Sequence, residues 1–136
     1  MGSRREGRWM ALQTLYLVDT CHIPLEEALK TALSPAEASS VRNFAVHLAN
    51  GVQETKARID LILAKYAQNW DLNRMATVDR NILRIATFEI LFDLETPLPV
   101  IIDEAIEAAK AYSTEDSGKF VNGILDKVKM ERPPTS

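Results

Sequence analysis

The chain has 136 residues, 46% of them hydrophobic and 26% charged, with a formal net charge of -3. That length and apolar content suit one folded unit with a real core, and the charge balance excludes a polycation that would hold nucleic acid by charge alone. A single cysteine, Cys21, excludes an internal disulfide and fits a reducing cytoplasm. No apolar run approaches the roughly 20 residues needed to span a bilayer, so no membrane partner is expected.

Arg4, Arg5 and Arg8 followed by WMALQTLYLV have the outline of a secretory leader. Gln13 inside the run, Asp19 just after it and the lack of a small-x-small cleavage site argue against one. Ala11, Leu12, Leu15 and Val18 recur at helical spacing, which predicts a helix from about Arg4 or Arg8 to Asp19. Pro24 fits the first turn of a short second helix, LEEALKTAL. Ser34-Pro35-Ala36-Glu37 has the form of a capping box opening the next helix. Its stripe of Val41, Phe44, Ala45, Leu48 and Val52 resumes at Ile59, Ile62, Leu63 and Tyr66. That predicts one long helix, or two joined by a kink at Gly51. Trp70-Asp71-Leu72-Asn73 breaks it.

The segment from Ala76 to Leu94 organises the chain. Its apolar residues, from Val78 to Phe92, leave almost no polar stripe, which predicts a central helix with Thr77 as its cap. Asp79, Arg80, Arg84, Glu89 and Asp93 are too many charges for a membrane span. Thr96-Pro97-Leu98-Pro99 predicts a turn, followed by a helix from Val100 to Tyr112. Ser113 to Ser117 reads as a polar connection, and a last helix covers about Gly118 to Met130. Asn122-Gly123 inside it suggests close helix packing at the glycine. The expected fold is all-α: a compact helical domain over residues 1–132, of about seven helices in two packed bundle halves, about 1–68 and 70–132. The tail ERPPTS, and residues 133–136 above all, is expected to be disordered.

No converging catalytic set is visible, so an enzyme is not expected, and neither is a cofactor. His22 and His47 have no ligand-spaced neighbours, which disfavours a metal. Glu104 and Glu107 read as a solvated helix face partnered by Lys110. Two places resist a purely structural account. Arg4, Arg5 and Arg8 share a helix face at an N-terminus, where the macrodipole disfavours cations. They are either a frayed, solvated start or a site for something anionic such as RNA. In EDSGKFVNG, Asp116 or Ser117 is an ordinary N-cap. Lys119 and Phe120, three and four residues after Asp116, would also place a cation and a ring beside an acceptor, a turn able to stack and hydrogen-bond a base.

At these places the chain resembles the NusB family of bacterial transcription antitermination factors. The resemblance is carried by RxxALQTLY at Arg8 to Tyr16, VDRNILRIATFEI at Val78 to Ile90, TPLPVIIDEAIEAAK at Thr96 to Lys110, and EDSGKFVNGILD at Glu115 to Asp126. It implies a non-enzymatic, all-helical protein of two packed halves. It also implies binding to boxA RNA of ribosomal RNA operons together with NusE, the small-subunit ribosomal protein, within a transcription elongation complex. By matching motif, the implied RNA residues are Arg4, Arg5, Arg8, Gln13, Tyr16, Asp116, Lys119 and Phe120. Asp79 stands on the implied NusE side.

The arm departs from the family's pattern. Glu6 and Gly7 interrupt it, Trp9 replaces a usual glutamate, and three arginines against one glutamate leave residues 1–8 at +2. Counterion release scales with phosphates neutralised, so weaker RNA binding alone and a shallower salt dependence are expected. On this reading Arg8→Ala spares folding and weakens RNA binding, whereas Ile82→Asp unfolds the protein. The alternatives are a non-catalytic interaction scaffold or homodimer using apolar residues around Trp9, Leu72 and Phe92, or a fragment related to the NusB-like domain of ribosomal RNA methyltransferases.

Overall fold

A computed structural model describes residues 2–67 and 71–134. Trp70, assigned above to the break after the long helix, lies outside the described residues, as do residues 135 and 136 of the tail. Six α-helices follow in order: α1 (Ser3–Cys21), α2 (Leu25–Ala32), α3 (Ser39–Tyr66), α4 (Thr77–Phe92), α5 (Leu98–Tyr112) and α6 (Glu115–Val128). Short 3-10 turns cover Leu72–Arg74 and Lys129–Glu131. The fold is all-α as expected, with six α-helices among the described residues where about seven helices were anticipated.

The apolar density of α4 decides the packing. From Asn81 to Leu91 every residue is buried, so the helix needs neighbours on all sides. It finds α1, α3, α5 and α6. Against it lie Leu12 and Leu15 from α1, Leu48, Ile59 and Leu63 from α3, Ile101 from α5, and Val121 and Leu125 from α6, all in one continuous core. Each such side chain contributes about 1.5–3 kcal/mol on burial.

The long third segment is one helix of 28 residues. Gly51 is not a kink but a close approach: a Cβ placed there would run into the Phe88 ring of α4. Gly7 plays the same part between α1 and α3, where a Cβ would stand 2.9 Å from Phe44 Cδ2. Gly123, by contrast, has open space around it, so the expected close packing does not occur there.

Several boundaries move for identifiable reasons. Ser34 does not open a helix. Its Oγ accepts from Ala36 N at 3.1 Å and its carbonyl from Glu37 N at 3.0 Å, which closes a turn, and α3 begins at Ser39. Thr77 is the first residue of α4 rather than its cap; Ala76 precedes it without a side-chain bond. Pro97 and Pro99 do not hold the chain out of helix but open α5, because the first turn needs no donors there. The last helix starts three residues early, capped by Thr114, whose Oγ1 accepts from Ser117 N at 3.0 Å. Part of the tail is anchored as well. Glu131 accepts from Tyr66 Oη at 2.5 Å, and Arg132 Nη2 donates to the carbonyls of Asp93 and Thr96 at 2.9 and 2.7 Å.

Candidate nucleic-acid interface

The arginines of the first turn have three different surroundings. Arg4 is exposed and stacks over Phe44, 4.2 Å from the ring centroid. Arg5 is exposed and grips Glu104 of α5 through Nε at 3.0 and 3.2 Å and Nη2 at 2.7 Å. Arg8 is only 9% exposed. Its Nε and Nη2 meet the two oxygens of Glu89 at 2.9 and 2.8 Å, and Glu89 on α4 is 1% exposed.

This corrects the reading of Arg8 as a solvent-facing arm residue whose removal spares folding. A guanidinium and a carboxylate buried together hold α1 to α4, and removing one strands the other. Burial pushes the Glu89 carboxyl above its ordinary range against the opposing pull of Arg8. The reading of Glu104 as part of a solvated face is corrected too. The hydrogen bonds from Arg5 hold its carboxyl below the usual range, against partial burial.

Apart from Lys119, the sequence-predicted residues line three depressions. Arg4, Arg5 and Arg8 line an open hollow of about 570 Å³ with Val100, Asp103 and Glu104. Beyond Trp9, whose ring meets Tyr112 edge-on at 5.5 Å, Gln13 and Tyr16 line a groove of about 300 Å³ with Val78. Both are exposed, Tyr16 to 38%. Asp79, one residue past Val78, lines a third hollow of about 270 Å³ with Asp116, Ser117 and Phe120. Asp116 and Lys119 are exposed, and Phe120 is half-buried against the core. The three hollows are lined in turn by the start of α1, by the middle of α1 with Val78, and by Asp79 with the first turns of α6.

Asp79 is 7% exposed. Its Oδ2 accepts from Ser117 Oγ at 3.0 Å, and its Oδ1 is buried with no hydrogen-bond partner among the described residues. A buried acceptor without a partner is costly, and Asp79 borders the hollow from which a donor would reach it if the side chains around it gave way.

Sequence reasoning missed the polar network of the central helix. Arg84, 5% exposed, spans Asp60 of α3 and Asp19 of α1, and Arg80 clamps Asp19 through Nε and Nη2 at 2.6 and 2.7 Å. Partial burial opposes ionisation of Asp19, but the bonds from Arg80 and Asn81 and the charge of Arg84 hold it below the usual carboxylate range. A signal was present: charges on a helix without a polar face must be buried, and buried charges need partners.

The sequence model of the NusB family matches residues 5–130. The chain belongs to the NusB family. The transcription antitermination protein NusB of Elusimicrobium minutum is 46% identical over 139 aligned residues, covering 97% of this chain and 96% of that protein. The NusB of Myxococcus xanthus is 42% identical over 133, covering 94% and 95%. Among solved structures, Thermotoga maritima NusB superposes with a TM-score of 0.90 at 41% identity, covering 96% of this chain and 93% of that one. A chain from the crystal structure of antitermination factors NusB and NusE in complex with double-stranded RNA superposes at 0.88 with 25% identity, covering 96% and 98%. Among the described residues of this NusB-family chain, no helix is long and apolar enough to cross a membrane, and no cluster of histidine, cysteine, aspartate and glutamate could hold a metal.

Proposed function

We propose that this protein is an RNA-binding transcription antitermination factor, which binds boxA RNA of ribosomal RNA operons together with the ribosomal protein NusE in the cytoplasm. The observation that carries the reading is the superposition, over 96% of the chain, on a family member crystallised with NusE and RNA. The groups at and around the three hollows support it. Arg4, Arg5 and Lys119 supply charge for the phosphate backbone, and Gln13, Tyr16, Asp116 and Phe120 supply hydrogen-bonding and stacking groups for unpaired bases. Arg8 acts from beneath, fixing the helix that carries the arm. The unpaired oxygen of Asp79, buried beside its hollow, is suited to a donor from NusE once the side chains around it give way. The protein works by binding, not catalysis.

Fluorescence anisotropy at fixed salt, with boxA and scrambled RNA and with and without NusE, tests the reading. Selective binding of boxA, tightened by NusE, is the expected result. Equal, weak binding to both RNAs in the presence of NusE would overturn it in favour of a scaffold. Asp79→Asn, which preserves size and the bond from Ser117, weakens NusE binding while the urea midpoint stays near that of the parent. An unchanged affinity for NusE would remove Asp79 from the interface.

A further inference from the structure

Two of the three arginines of the arm already hold carboxylates. The Nε and Nη2 edge of Arg5, the fork that fits a phosphate in bidentate fashion, is already filled by both oxygens of Glu104. Glu104 Oε1 also lies 3.8 Å from Nη1 of Arg8, and Asp103 lines the same hollow. Three arginines and two carboxylates line the hollow, and Glu89 takes Arg8 from below, so most of the positive charge there is already paired. A phosphate approaching Arg5 meets a carboxylate in the place it would occupy. The contact is solvent-exposed on the arginine side, 44% against 15% for the glutamate, and an ion pair of that kind is weak enough to exchange.

We propose that Glu104 is an intramolecular competitor of RNA, which occupies Arg5 in the free protein and is displaced when a backbone phosphate takes its place. The inference rests on the RNA-binding reading above and adds a restraint to it. Each phosphate bound at Arg5 releases a carboxylate rather than joining an open cation, so the arm binds RNA more weakly than its arginine count implies. It binds best when a partner supplies further contacts.

The test is Glu104→Gln, nearly identical in shape and without the charge, titrated with boxA RNA across a series of salt concentrations. Urea melts of each variant confirm folding, and Glu104→Ala serves as a second probe of the same sign. The variant is expected to bind about three- to fivefold more tightly at low salt, the upper part of what an exposed ion pair supplies. Its plot of log affinity against log salt keeps nearly the parent's slope, because the same phosphate is neutralised at Arg5 in both. In an Arg5→Ala background the gain falls below about twofold, because the contested cation is gone. Tighter binding that persists undiminished without Arg5 would reduce Glu104 to long-range repulsion and overturn competition. Equal or weaker binding by Glu104→Gln, with the parent still binding, would overturn it as well and leave the RNA-binding reading intact. If neither protein binds RNA with or without NusE, the RNA-binding reading falls and this inference with it.

Discussion

Replacing Arg8 by alanine distinguishes a buried clasp from a surface cation. The substitution removes both donors from Glu89, which is 1% exposed and sits on α4 at the centre of the core. The stranded carboxylate has two options. It can stay ionised without a partner, for which broken buried pairs cost about 3–5 kcal/mol. Or it can take a proton, and that route limits the electrostatic penalty. With an unfolded glutamate titrating at about 4.3, protonation at pH 7 spans about 2.7 units, or about 3.7 kcal/mol, while at pH 5 it takes about 1 kcal/mol. Burial already holds Glu89 above its ordinary range in the parent, so the difference between variant and parent is somewhat less than that ceiling. Arg8→Ala is therefore expected to lose about 3 kcal/mol at pH 7 and about 1 kcal/mol at pH 5, with lost packing against Phe44 added at both. The sign follows from linkage. A carboxyl whose folded value lies above its unfolded one contributes most below the unfolded value, and that contribution is lost as pH rises through the folded value. Urea titrations of parent and variant at pH 5 and pH 7 measure both numbers. A loss below about 1 kcal/mol at pH 7, the same at both pH values, would refute the clasp and restore Arg8 to the solvent-facing arm.

Gly51→Ala drives a methyl group into Phe88, which is buried. The overpacking outweighs the better helix propensity of alanine, and urea titration should show a loss of about 1–3 kcal/mol. Arg5→Ala leaves the thermal melt in place and weakens RNA binding with a smaller salt slope, read by anisotropy; an unchanged slope would take Arg5 out of the RNA contact. Asp19, held low by its arginines, contributes stability above its unfolded value of about 3.9 that disappears as pH falls through the folded one. The stability lost between pH 5 and pH 2 should accordingly be smaller in Asp19→Asn, whose stability at pH 7 is already reduced. An acid limb identical to that of the parent would show the network to be electrostatically idle.

What could be read directly was whatever local spacing encodes. Ala76 to Leu94 has no polar stripe, so it had to be the central helix. The recurrence of apolar residues at three and four positions placed α1 and α3, and the unusual order of residues in EDSGKFVNGILD carried the family. Helix starts were less legible. Thr114, Asp116 and Ser117 can each cap a helix, as Ser34 can, and the choice depends on which side-chain oxygen the folded backbone brings to a free N–H. The glycines divided the same way: Gly51 and Gly123 look alike in a helical pattern, yet only Gly51 faces a ring from another helix.

The candidate site divides along that line too. Which residue types belong to it was fixed by sequence, because a motif lists side chains. Which of them are free to act was not. Arg4, Arg5 and Arg8 share one helical face at ordinary spacing, and nothing near them in the chain separates them. Their partners are Phe44, Glu104 and Glu89, up to 99 residues away along the chain. Burial and ion pairing act through space in a medium of low polarity, so Arg8 became a clasp, Arg5 a contested cation and Arg4 an exposed one only when α4 and α5 packed against α1.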